Sequence, residues 1–124
     1  MTRQLTYKDA VNEAIRLEMR NDPSVILIGE DGAGGAGNDH IPGALDAWGG
    51  PFGVTKDLVT EFGRERVIDS LLAETGFIGA CIGATFAGMR PIAEIMYSDF
   101  IGTSFDQILN HAAKLRFTYG GKVS

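Results

Sequence analysis

The sequence predicts an α/β fold: a parallel sheet with helices on both faces. Two observations carry that expectation. Short apolar runs rich in β-branched residues, at 25–29, 66–73 and 92–97, alternate with segments of helical periodicity, and strands separated by helices pair in parallel through crossovers. The stretch 75–89 is apolar or small throughout and carries no charge, so it is expected to form a helix in a deeply buried layer.

In chain order, Thr6 with Asp9 three positions later makes a capping-box-like start for an amphipathic helix running to about Met19, which Asn21-Asp22-Pro23 ends. A strand at 25–29 follows, with Glu30 at its end. The next segment, Gly32-Ala33-Gly34-Gly35-Ala36-Gly37, lacks both the Lys-Ser/Thr of a phosphate loop and the dinucleotide spacing, and reads as a mobile loop. His40, in the same irregular segment, reads as an exposed loop histidine. A second helix is expected over 55–62, closed by Gly63. The run 66–73 reads as a strand and a tight crossing into the apolar helix, which Arg90-Pro91 ends. A strand over 92–97 and a helix over 103–117, closed by Gly120-Gly121, complete the pattern. His111 shares that last helical pattern with Phe105, Ile108 and Leu115 and reads as a helix-surface or interface residue.

Glu74 is the most informative side chain. It stands alone at the head of the apolar helix, where burial disfavours its ionised form and the helix N-terminus favours it. Such a group can share a proton with a ligand nitrogen; the plainer reading is a carboxylate that complements the helix dipole. Its place after a strand puts it at the carboxyl edge of the sheet, where open α/β folds bind ligands. Gly79 and Gly83, one turn apart on the same helix, make a candidate subunit-contact face.

Composition narrows the function classes. A net charge of -5 without a basic cluster argues against a nucleic-acid surface, and 44% hydrophobic with 22% charged residues is globular. The apolar stretch of about fifteen residues is shorter than the roughly 20 that span a bilayer, so no membrane segment is expected. Cys81 is the single cysteine, which points to a reducing compartment, bacterial-type cytoplasm or its equivalent, and the polar N-terminus does not look like a secretory signal.

Several motifs in one order carry a resemblance. Ile28-Gly29-Glu30-Asp31, Gly34-Gly35-Ala36-Gly37, Ala47-Trp48-Gly49-Gly50, Phe62-Gly63-Arg64-Glu65-Arg66-Val67-Ile68-Asp69, Glu74-Thr75-Gly76-Phe77-Ile78-Gly79, Gly88-Met89-Arg90-Pro91-Ile92-Ala93-Glu94 and Phe105-Asp106-Gln107-Ile108 together resemble the β subunit of the E1 component of 2-oxo acid dehydrogenase complexes, from Leu5 to Tyr119. These are thiamine-diphosphate enzymes with a transketolase-like pyrimidine-binding domain. The stretch Asp46-Ala47-Trp48-Gly49-Gly50 looks most like the acetoin and pyruvate branch. The resemblance departs at Leu71, where the family usually carries a proline that would lock the entry to Glu74.

The resemblance implies that Glu74 is the catalytic carboxylate. It would share a proton with the cofactor's aminopyrimidine, so that the ring's own exocyclic nitrogen can remove the thiazolium C2 proton. Phe100 would stack on the pyrimidine, Leu72 would help to hold the cofactor's bent shape, and Glu30 would lie near the cofactor or in an acidic passage between paired sites. Ordinary core packing is the alternative for Phe100. The diphosphate and its Mg²⁺ would be held by the E1 α subunit, since the chain has no Gly-Asp-Gly motif followed by Asn. The lipoyl-bearing E2 acyltransferase and a second β subunit are the other implied partners. Residues 1–124 would then be the N-terminal part of a truncated pyrimidine-binding domain, the family's C-terminal domain lying outside them. A fragment of a transketolase-type transferase and a non-catalytic assembly or regulatory subunit remain as alternatives.

Overall fold

The computed structural model describes residues 3–35 and 49–123. Three parallel strands, β1 (Val25–Gly29), β2 (Val67–Asp69) and β3 (Arg90–Ala93), lie in the order β2-β1-β3. The central strand β1 is buried along its whole length, as its unbroken Val-Ile-Leu-Ile run requires. Its alternate residues feed two cores. Val25 and Leu27 pack with Met19, Leu58, Val59 and Val67 against helices α1 (Tyr7–Asn21) and α2 (Leu58–Phe62). Ile26 and Ile28 pack with Phe77, Ile78 and Cys81 of α3 (Glu74–Phe86) on the opposite face. The sheet therefore carries helices on both faces.

Local chemistry sets the boundaries. Thr6 caps α1, its hydroxyl oxygen accepting the Asp9 N–H at 3.2 Å, as the capping pattern predicts. Arg66 fastens the end of α1 to the start of β1: its guanidinium donates to the carbonyls of Met19, Asp22 and Val25 at 2.7–3.1 Å and lies over the Phe62 ring.

Several expectations need correction. The second helix starts at Leu58, three residues late, because Asp57 is left-handed (φ 62) and breaks the helical run from Thr55. Within the run 66–73, Val67–Asp69 forms the strand and residues 70–73 make the crossing into α3. The apolar helix ends at Phe86 and not Met89: Gly88 (φ 83) donates to the Thr85 carbonyl and the Met89 N–H to that of Ala84, a Schellman ending. That helix buries only one face, through Phe77, Ile78 and Cys81, while Ala80, Gly83 and Phe86 are exposed. Pro91 does not precede the next strand but sits within it, paired with Ile26. It is tolerated because the N–H groups of Arg90 and Glu94 point to β1, leaving position 91 out of phase on an edge strand. The continuous helix expected over 103–117 is three pieces: a 3₁₀ turn Ser98–Ser104, a π-turn Gln107–Ala112 and α4 (Leu115–Thr118).

Candidate active site

The three strands end at one edge, and the residues that follow them meet there. β1 hands on to Glu30 and Asp31, β2 ends at Asp69 and crosses to Glu74, and β3 hands on to Glu94. Asp69 organises one side of this edge: its carboxylate accepts the N–H groups of Ala33 at 2.8 Å and Gly35 at 2.6 Å. With Ala33 buried in the core, this part of the glycine-rich segment is anchored, which corrects its reading as a mobile loop. The remainder of that segment, with His40, Asp46, Ala47 and Trp48, lies outside the described residues. Gly49 re-enters at φ 84, with Lys56 N so close (2.1 Å from the position a Cβ would take) that only glycine fits.

Glu74 is the first residue of α3 and half-buried, so its carboxylate sits at the electropositive helix end facing the edge. Glu30 is 6% exposed, and its Oε1 has no hydrogen-bond partner. Burial raises the Glu30 carboxyl above the usual carboxylate range, and the charges of Glu74 and then Asp31 push it further the same way. Burial likewise raises Glu94; the neighbouring Glu30 backbone N–H opposes the shift, and the charges of Glu30 and Asp31 add to it.

Phe100 lies in the 3₁₀ turn with 42% of its surface exposed, so ordinary core packing does not describe it. Its ring meets Tyr97 edge-on (centroids 5.9 Å apart, 78°), and Tyr97 meets Phe52 in the same way (5.4 Å, 79°). Tyr97 holds its exposed ring from a left-handed backbone (φ 68), a conformation that costs on the order of 1–3 kcal/mol outside glycine and clusters at functional sites. The Thr75 hydroxyl donates to the Thr103 carbonyl, tying the start of α3, and with it Glu74, to the turn that carries Phe100. Leu72 is 84% exposed in the crossing between Asp69 and Glu74, beside exposed Leu71.

Glu30 and Glu74 thus lie at this edge, the Thr75–Thr103 bond ties the Phe100 turn to the start of α3, and Leu72 lies exposed in the crossing before Glu74. The structure adds Asp69, Glu94, Tyr97 and Phe52, which sequence reasoning did not single out as site residues; the carboxylates directly following two strand ends were the available signal. His111 lies elsewhere, on the π-turn, where Nδ1 stands 3.8 Å from the Asp106 carboxylate. It lines a cavity of about 260 Å³ with Ile82, Phe86 and Arg116. A cavity of about 590 Å³ opens at the opposite, amino-terminal edge of the sheet, against Asp22, Val25 and Arg90, and includes none of the site residues. Among the described residues no group of three His, Cys, Asp or Glu side chains is placed to hold a metal ion, and no helix is long and apolar enough to cross a membrane.

A parallel sheet with helices on both faces is the fold that the sequence resemblance implies. The family model "Transketolase, pyrimidine binding domain" matches residues 3–120. The chain belongs to that family. It is 55% identical over 122 residues, 98% of this chain, to the acetoin:2,6-dichlorophenolindophenol oxidoreductase subunit beta of Bacillus subtilis, of which it covers 35%. It is 42% identical over 121 residues, 98% of this chain, to the pyruvate dehydrogenase E1 component subunit beta of Gracilaria tenuistipitata, of which it covers 33%. It is 41% identical over 113 residues, 91% of this chain, to the 2-oxoisovalerate dehydrogenase subunit beta of Bacillus subtilis, of which it covers 31%. The chain therefore spans about a third of the length of these relatives.

Proposed function

We propose that the chain forms the pyrimidine side of a thiamine-diphosphate site in the β subunit of an E1-type acetoin or 2-oxo acid dehydrogenase. The observation that carries this is the meeting at one sheet edge of the Glu74 carboxylate with the exposed Phe100 turn, joined by the Thr75–Thr103 hydrogen bond. The fit to the cofactor rests on the donor set. A half-buried carboxylate at a helix head suits a ring nitrogen that shares a proton, an exposed aromatic face suits a flat heterocycle, and the buried, unpaired Glu30 Oε1 leaves an acceptor at the same edge. Thiamine diphosphate, when bound, supplies a carbanion that attacks the substrate carbonyl.

In this reading Glu74 holds or donates a proton at the pyrimidine N1′, helped by the dipole of α3. Phe100 offers the ring a face, and Leu72 excludes water beside it. Glu30 keeps a second carboxyl within the electrostatic reach of Glu74. In this reading the E1 α subunit holds the diphosphate and Mg²⁺. The lipoyl-bearing E2 accepts the acyl group, and a second β subunit completes the assembly. Identity of 55% to the acetoin relative, against 42% and 41% to the pyruvate and 2-oxoisovalerate relatives, favours the acetoin branch.

The test is Glu74→Gln in the full-length subunit assembled with its α partner. General acid–base groups typically contribute about 10²–10⁴-fold, and turnover should fall by that order with the fold retained. A folded, cofactor-loaded variant with near-normal turnover would sink the assignment.

A further inference from the structure

The backbone of Phe100 is held on both sides. Its N–H donates to the Tyr97 carbonyl at 3.1 Å, and its carbonyl accepts the Thr103 hydroxyl at 2.8 Å. Burial does not hold the ring, which is exposed, and the terminal torsion of a phenylalanine is broad. A neighbouring ring fixes its plane instead. Tyr97 stands edge-on to Phe100 and also edge-on to Phe52, so three exposed aromatics form one row in which each ring is nearly perpendicular to the next. Phe52 lies two residues after Gly50, and Gly50 packs against the Glu30 carbonyl oxygen, 3.4 Å from the position a Cβ would take. The row therefore runs from the segment beside Glu30 to the turn that Thr75 ties to the head of α3.

Tyr97 carries this row on a strained backbone. Its φ of 68 with ψ of 121 lies outside the ordinary regions and outside the left-handed helical well, a place for glycine and an outlier for a bulky side chain. Such a conformation persists only where the surroundings over-determine it. Here its contacts are made by the ring, to Phe52 and Phe100, and by the carbonyl that takes the Phe100 N–H. From this geometry we infer that Tyr97 is a positioning residue: its ring, steadied by Phe52, sets the plane of the Phe100 ring and so the face that Phe100 offers to a flat heterocycle. The effect on cofactor binding rests on the proposed function; the ring row belongs to the chain alone.

The experiment uses the full-length β subunit, alone for fluorine NMR and assembled with its α partner for binding. With 4-fluorophenylalanine incorporated, the resonances of residues 52 and 100 are assigned by replacing each with leucine. In Tyr97→Ala both should lose the shift that an edge-on ring imposes, while that of Phe62, whose ring meets Arg66, stays in place. Tyr97→Phe keeps the ring and should leave both where they are. Tyr97→Gly removes the same ring and relieves the left-handed strain, so it should give the shifts of Tyr97→Ala and melt above it, the reverse of the usual order for these two residues. In the assembly, calorimetric titration of thiamine diphosphate with Mg²⁺ should show binding weakened about two- to tenfold by Tyr97→Ala, the worth of one aromatic contact, and restored by Tyr97→Phe. If Tyr97 acts through Phe100, the double variant Phe100→Ala/Tyr97→Ala binds no more weakly than Phe100→Ala alone. An unmoved Phe100 resonance in Tyr97→Ala, a Tyr97→Gly subunit that melts below Tyr97→Ala, or additive losses in the double variant would each overturn the inference. So would normal affinity in Tyr97→Ala where Phe100→Ala is weakened. Shifted resonances with normal affinity in both Tyr97→Ala and Phe100→Ala would keep the ring row and remove the proposed function.

Discussion

Replacing Glu30 by glutamine should make the protein more stable and less active at the same time. The carboxyl is 6% exposed, with one oxygen unpaired, and it shares its edge with Glu74 and Asp31. Ionising it there is unfavourable. Glutamine has nearly the same shape and removes the charge, although one polar atom stays unpaired. An unsatisfied buried polar group costs about 1–3 kcal/mol and a charged one more, so removing the charge alone should be worth about 1 kcal/mol. Relief of the repulsion on Glu94 adds to the same side. The sign follows from linkage. The folded-state carboxyl is raised above its unfolded value of about 4.3, so the folded state holds its proton to higher pH. That contribution is fully present below the unfolded value and is lost as pH rises through the raised folded one. Glutamine does not titrate, so the stability gap between variant and wild type should be absent near pH 4, open through that window and stay level above it. Urea midpoints of the full-length subunit across pH measure it, supported by melting temperatures, where about 1 kcal/mol corresponds to roughly 2–4 °C for a domain of 150–250 residues. A variant less stable than wild type at pH 8, or a gap that persists on acidification, would refute the reasoning. Lower turnover in the stabilised variant is the expected functional cost of a strained site.

Phe100→Ala should weaken cofactor binding to the assembled subunits by about two- to tenfold, the worth of one aromatic contact of about 0.5–1.5 kcal/mol, and Phe100→Tyr should retain it; calorimetric titration decides, and equal affinity for the Ala variant would remove Phe100 from the site. Arg66→Met leaves the carbonyls of Met19, Asp22 and Val25 without their shared donor and should cost on the order of 3 kcal/mol, read as a lower urea midpoint. An unchanged midpoint would mean that water replaces the guanidinium at no cost.

Local signals carried the architecture well. The cap at Thr6, the continuous apolar run of β1 and the isolated Glu74 each depend on neighbours within a few residues, and the structure places them as that local chemistry requires. Where local signals competed, the stronger pattern misled. The apolar run to Met89 outweighed Gly88, yet backbone geometry ends the helix at Phe86 because the left-handed glycine lets two N–H groups turn back. The segment 103–117 reads as one helix by spacing, but its π-turn begins where Gln107 lies against Gly79 of α3, a contact that spacing along the chain does not encode. The full exposure of α3's outer face was equally invisible, since apolar composition says only that a face can be covered, not by what.

The carboxylates at the edge show the deeper limit. Nothing in residues 88–94 says that the Glu94 side chain will lie against Gly29 of the neighbouring strand. That depends on the pairing of Ile28 with Ala93, which brings Glu94 alongside Gly29. A slip of one residue would turn Glu94 to the other face of the sheet, away from Gly29. Asp69 is set by the same kind of register: with Gly29 as its partner across β1, its carboxylate can reach the N–H groups of Ala33 and Gly35. The residues that could be assigned from sequence owe their place to local chemistry, as Glu74 does at its helix head. Those that could not owe theirs to a different strand, Asp69 to the backbone after β1 and Glu94 to Gly29, and that place exists only once the strands are aligned.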